Sequence, residues 1–264
     1  MKPKLPLLLG VAAGGIIAYE VHARRGQQAI ERFAAAALET LLNAIEANDE
    51  ETGMHVRRVA ACALILADAA GLDDRAKRAV ERVGLFHDIG KIHEALFDIV
   101  HEPKRLSASE RRAVATHPAR GAEVLAPLAS FYPELPSGVL SHHERWDGSG
   151  YPRGLRGRRI PLAARIVTIA DTFDAITHSR RYRGAADVSR AIEVLGAGRG
   201  TQFDPELVDL ALLPPVIEEM SRVQIKTGGR NQTGRHREQV PDVSFRWRSA
   251  SLRAARVSAP REIE

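Results

Sequence analysis

Residues 27–45, QQAIERFAAAALETLLNAI, decide the fold class. Ile30, Phe33, Ala34, Ala37, Leu38, Leu41, Leu42 and Ile45 recur at i, i+3 and i+4, the period of one helical face. The pattern continues outward. Thr52 to Ala70 reads as a helix stopped by Gly71, and Asp73 or Asp74 can cap the next one, which runs into Leu85, Phe86 and His87 and ends at Gly90. Ser107 with Glu110 is a capping box opening Arg111 to His117. Ala119 to Ala129, Pro161 to Thr177, Val188 to Leu195 and Pro205 to Leu213 are further helical stretches, while alternating β-branched runs are almost absent. The expectation is an all-α domain over residues 26–222, without internal repeats.

Two flanks differ from this body. Lys2 and Lys4 precede the uncharged, largely apolar stretch from Leu5 to Tyr19, which Glu20, Arg24 and Arg25 close. A bilayer span wants about 20 residues, so residues 1–25 read as a short inner-membrane anchor in preference to a buried helix or a cleaved signal. Residues 223–264 read as a basic flexible tail, because Thr227 to Gln239 is Gly, Asn, Gln, Arg and His and buries too little surface to offset chain entropy.

The formal charge of +5 belongs to these ends, since Gly26 to Met220 holds 24 basic and 28 acidic residues. The basic balance therefore does not signal a specific nucleic-acid-binding fold. The single cysteine, Cys62, excludes an internal disulfide and any Cys-based zinc cluster.

The chemistry lies in the histidines. Glu51 and His55 are one helical turn apart on one face. His87 and Asp88 are adjacent, with Lys91 just beyond; His117 precedes Pro118; His142 and His143 form a second adjacent pair, and Asp171 lies in a later helix. Imidazole mixed with carboxylate and no thiol describes a polynuclear site for Mn(II), Fe(II) or Zn(II), in which Asp88 can bridge two ions. Two ions about 3.5–4 Å apart can hold a hydroxide and steady a phosphoryl group, so phosphodiester hydrolysis is the natural inference. Lys91 offers a positive charge to a phosphate oxygen.

His87-Asp88-Ile89-Gly90-Lys91, followed by His142-His143-Glu144-Arg145-Trp146-Asp147-Gly148-Ser149-Gly150-Tyr151-Pro152-Arg153-Gly154, closely resembles the HD-GYP subfamily of HD-domain phosphohydrolases. The resemblance covers about 155 residues, from Glu51 through His117-Pro118, Asp171 to Thr177 and Arg180 to Arg183, to Phe203-Asp204-Pro205. It implies an HD-domain-like helical bundle and hydrolysis of cyclic di-GMP to pGpG or on to GMP. Two or three divalent ions, iron or manganese, would be held by His87, Asp88, His117, His142, His143 and Asp171, with Glu51 and His55 completing a third site. Asp88 and Lys91 would be catalytic, Lys91 against the scissile phosphate. Arg180 and Arg183 would hold ligand phosphates, and Gly150, Tyr151 and Pro152 would shape the substrate mouth. Asp147 and Asp174 are expected to support turns and ligand side chains rather than bind metal. The stretch from His93 to Lys104 departs from the family pattern, and His93 and His101 are read as nonligands.

Two alternatives stand beside this reading: another nucleotide as substrate, or a noncatalytic module that binds cyclic di-GMP or a diguanylate cyclase (GGDEF) partner. The amphipathic helix from Gln27 to Asn48 can pair with a copy of itself in a homodimer. A cytoplasmic domain, tethered through residues 5–19 if that anchor forms, matches the compartment where the implied substrate is made.

Overall fold

A computed structural model describes residues 29–47, 49–92, 107–178 and 188–228. The expected anchor at 5–19, the segment with His93 and His101, Arg180 and Arg183, and the tail from 229 lie outside the described residues.

The helices are α1 (29–47), α2 (Glu50–Ala69), α3 (Asp74–Phe86), α4 (Ala108–Val114), α5 (His117–Leu125), α6 (Glu134–Ser141), α7 (Leu162–Thr177), α8 (Val188–Ala197), α9 (Pro205–Ala211) and α10 (Pro214–Gly228). No strand occurs among the described residues; Arg199 and Phe203 form an isolated bridge.

The caps follow the sequence. Asp49 accepts from Glu51 N and from the Thr52 hydroxyl to start α2, Asp73 accepts from Ala76 N to start α3, and the reciprocal box of Ser107 and Glu110 opens α4. Leu72 N–H reaches back 3.1 Å to the Ala67 carbonyl, closing α2 just past Gly71.

The core forms around α2, which packs against α3, α7, α9 and α10, while α3 also meets α6 and α7. Val59, Cys62, Ala63 and Leu66 of α2 and Ile166, Ile169, Ala170 and Phe173 of α7 are fully buried. Each large apolar side chain so placed contributes about 1.5–3 kcal/mol. A second layer packs α5 on α6 and on the 3-10 turn Ile89–Ile92.

Several boundaries differ from the sequence reading. Helix α3 stops at Phe86, and Gly90 sits within the 3-10 turn rather than ending the helix. The capping box leads into α4, while α5 starts at His117 itself. Helix α6 carries no clear apolar period because Pro136, Ser137 and Gly138 interrupt it; proline is tolerated in its first turn. Helix α10 runs six residues past 222, to Gly228. Along α1, Ala34, Leu38, Leu42 and Ile45 are buried, but Ile30 and Phe33 stay 47% and 75% exposed. The apolar stripe is thus wider than the face that packs. No helix among the described residues is long and apolar enough to cross a membrane.

Candidate metal centre

Helix ends from separate parts of the chain deliver the donors. His87 is the C-cap of α3 and Asp88 follows it, His117 is the first residue of α5, His142 is the C-cap of α6 with His143 next, and His55 and Asp171 project from α2 and α7. Gly90 permits the meeting. A Cβ there would lie 2.1 Å from the His117 carbonyl oxygen and 2.7 Å from Gly121 N, so only glycine lets the turn carrying Asp88 lie against the start of α5.

Four imidazoles are pinned through Nδ1. His87 Nδ1 bonds the Gly84 carbonyl at 2.8 Å, His117 Nδ1 the Val114 carbonyl at 2.7 Å, and His142 Nδ1 the Val139 carbonyl at 2.6 Å. These carbonyls belong to the last turns of α3, α4 and α6, where a helix leaves its acceptors unpaired. A carbonyl oxygen only accepts, so Nδ1 carries the hydrogen and the neutral ring presents a bare Nε2 lone pair. His55 Nδ1 is held instead by a side chain, Asp174 Oδ2, at 2.7 Å.

The donor atoms converge in two groups, His117, His142 and His143, and His55, His87 and Asp171, with those inside each lying within 4.8 Å of one another. Asp88 stands between them. Its Oδ1 is 3.3 Å from His117 Nε2 and 3.9 Å from His142 Nε2, and its Oδ2 is 3.5 Å from His87 Nε2 and 3.9 Å from His55 Nε2. His117 Nε2 and His142 Nε2 face each other at 3.1 Å. With both Nδ1 atoms donating elsewhere this is a meeting of two lone pairs, which repel unless a cation lies between them. His55 Nε2, His87 Nε2 and Asp88 Oδ1 are buried without a hydrogen-bond partner. Unsatisfied buried donors and acceptors are costly, and convergent ones fit a metal ion.

The electrostatics agree. Burial pushes His87 and His142 below the ordinary imidazole range, and burial together with neighbouring His117 lowers His143 to about 4. Burial works to raise the carboxyl of Asp88, but Lys91, His87 and His117 outweigh it and hold it well below its usual range. Burial likewise opposes a charge on His55, yet the carboxylates of Asp171 and Asp174 on either side of the ring raise it to about 9. Carboxylates that hold a proton on His55 this firmly would hold a cation in its place.

Lys91 Nζ donates to Asp88 Oδ2 at 2.7 Å. The Tyr151 ring stacks on His143 with centroids 5.0 Å apart, and burial followed by Asp88 and Asp171 pushes its phenol up to about 12. A Cβ on Gly150 would lie 2.3 Å from Arg145 N, so glycine is required where the loop folds back on itself. Pro152 follows a cis peptide bond and is exposed. Glu51, partly buried one turn before His55, belongs to neither donor group. Asp147 accepts from Ser149 in a local turn, and Asp174 supports His55.

Three contributors carried no sequence signal strong enough to single them out. Buried Glu144 accepts from Arg153 N at 2.8 Å and Leu155 N at 2.9 Å, tying down the loop that carries Tyr151. Thr168 donates to the His142 carbonyl at 2.6 Å. Arg58 grips Asp174. A buried acid inside a glycine-rich loop was the one visible hint, for Glu144.

Residues 39–207 match the profile of the family described as HD domain. The chain is 38% identical over 185 residues to the cyclic di-GMP phosphodiesterase response regulator RpfG of Xanthomonas campestris, covering 69% of this chain and 48% of that protein. It is 38% identical over 174 residues to 3'3'-cGAMP-specific phosphodiesterase 2 of Vibrio cholerae, covering 65% and 33%, and 32% identical over 214 residues to a cyclic di-GMP phosphodiesterase of Thermotoga maritima, covering 80% and 58%. The chain thus spans about a third to a little over half of these relatives. Among solved structures, Bd1817 of Bdellovibrio bacteriovorus aligns with a TM-score of 0.52 at 18% identity, over 74% of this chain and 62% of that one, and shares its fold.

Proposed function

This chain belongs to the HD domain family, and from that premise we propose that it is a metal-dependent phosphodiesterase that hydrolyses cyclic di-GMP to pGpG or on to GMP. The observation that carries the reading is the convergence of His87, His117 and His142 Nε2, each ring pinned through Nδ1, on the two oxygens of the Asp88 carboxylate. The names of the Xanthomonas and Thermotoga relatives support the substrate.

His87, Asp88, His117, His142, His143 and Asp171 would hold two iron or manganese ions, with His55 beside His87 and Asp171, and Glu51 would join His55 at a third site. Bound there, the ions supply a hydroxide nucleophile and neutralise phosphate charge. Lys91 has three N–H donors, so it can keep its bond to Asp88 while donating to a nonbridging oxygen of the scissile phosphate. Tyr151, Gly150 and Pro152 form the substrate mouth, where the ring stacked on His143 offers an aromatic edge to a base. Arg180 and Arg183 hold the ligand phosphates through their planar forks. We infer that residues 1–25 are an apolar segment tethering a cytoplasmic domain that runs from residue 26 to the end of α10 at Gly228, followed by a basic tail. The exposed Ile30 and Phe33 support a homodimer through α1.

A second reading, hydrolysis of 3'3'-cGAMP, is favoured by the match to a relative of that named specificity. Anaerobic purification with metal analysis, and chromatography of products from both cyclic dinucleotides, tests the two together. Turnover of cyclic di-GMP by protein carrying iron or manganese is the expected result. Preference for 3'3'-cGAMP would select the second reading, and metal-loaded protein inactive on both would overturn them.

A further inference from the structure

Two i, i+3 pairs face each other across the contact between α2 and α7: His55 and Arg58 on one helix, Asp171 and Asp174 on the other. The His55 ring lies between the two carboxylates, with Nε2 3.3 Å from Asp171 Oδ1 and Nδ1 2.7 Å from Asp174 Oδ2. Asp171 and Asp174 are the same kind of donor one turn apart, and helical spacing by itself does not separate them. What separates them is Arg58. Its Nε lies 2.7 Å from Asp174 Oδ1 and its Nη2 3.0 Å from Oδ2, a two-point grip on a carboxylate only 1% exposed. His178 Nδ1 adds a further approach to Oδ1 at 3.4 Å. Among the described residues no guanidinium clamps Asp171 in this way; its carboxylate is turned to the Nε2 atoms of His55 and His87.

We propose that Arg58 is a positioning residue of the metal centre: its guanidinium fork withdraws Asp174 from the ligand set and fixes that carboxylate as the acceptor for His55 Nδ1, so that His55 Nε2 and Asp171 face the ion together. This assignment rests on the metal-centre reading above. A fork is needed because one point charge would leave Asp174 free to rotate an oxygen toward the ion, whereas two parallel N–H bonds fix the carboxylate plane. Cohesion between α2 and α7 does not call for the pair. Apolar residues such as Val59, Leu66, Ile166 and Phe173 are already buried in these helices, and a buried ion pair is often no more stabilising than apolar packing of the same volume.

The test uses the full chain, stripped with chelator and titrated with Mn(II), with the free ion followed by electron paramagnetic resonance and thermal melting recorded on the same metal-free samples. For Arg58→Met, the expected result is that the weaker class of Mn(II) sites loses about 10–100-fold in affinity, the cost of removing an outer partner of a ligating histidine. The class formed by His117, His142 and His143 should keep its affinity. In an Asp174→Asn background, Arg58→Met should cost nothing further, because the carboxylate it orients is gone. If Arg58→Met melts without cooperativity, Arg58→Lys, which keeps the charge but not the fork, carries the same selective loss. Unchanged Mn(II) affinities in a folded Arg58 variant would overturn the positioning role and leave a tie between helices. A wild-type chain that takes up no Mn(II) would instead overturn the metal-centre reading itself.

Discussion

His117 and His55 turn their Nε2 atoms toward the same Asp88 carboxylate, yet they are held in different ways. The ring of His117, like those of His87 and His142, is pinned by a main-chain carbonyl in the last turn of a helix. The ring of His55 is pinned by Asp174, which is gripped in turn by Arg58. A carbonyl anchor survives any substitution that leaves the helix in place, whereas a side-chain anchor can be lost one atom at a time. Three of these rings are therefore specified by where helices end, and the fourth by particular side chains.

The largest expected effect comes from the residue between the two donor groups. Asp88→Asn should drive turnover below detection and lower the bound metal count in both donor groups, with the circular dichroism of a helical protein retained; full occupancy of either group would show that Asp88 does not join them. Gly90→Ala strikes the carbonyl-anchored rings. Its new Cβ would meet the His117 carbonyl at 2.1 Å, and such overpacking costs about 1–3 kcal/mol. Melting should fall accordingly, and metal affinity should weaken first at His117, His142 and His143. An equal loss at His55 would mean that the two groups are mechanically coupled.

Glu144→Gln keeps shape but removes the charge that accepts from Arg153 N and Leu155 N. Hydrogen bonds to a charged group are worth about 1.5–3 kcal/mol, part of which the amide oxygen retains. The expected outcome is a raised KM as the Tyr151 loop loosens, with unchanged metal content by elemental analysis. Thr168→Val, which removes the hydroxyl bonded to the His142 carbonyl, should cost only about 0.5–1.5 kcal/mol in a denaturant titration and leave metal affinity intact, because the His142 ring is held elsewhere.

Much of this was legible from the chain alone. The apolar periods of α2 and α7 and the caps Asp73 and Ser107 are local signals, and the structure follows them. Helix α6 was hidden because Pro136, Ser137 and Gly138 break its pattern, and packing supplies what propensity does not: Gly138 lies so close to Val83 that an added Cβ would stand 2.4 Å from it. The period of α1 overstated its buried face, since the stripe at Ile30 and Phe33 continues where nothing described covers it. Arg58 looked like an ordinary helical arginine, because its meaning depends on Asp174, 116 positions away.

By itself the sequence determined the helical class and the inventory of imidazole and carboxylate donors, both of which follow from residue type and short-range spacing. The tertiary structure alone decided which nitrogen of each pinned ring faces inward, what holds Asp174 against His55, and that Asp88 lies between the two groups. Those outcomes depend on helix ends and faces that meet only after the core has packed, and no local period of the chain encodes such a meeting.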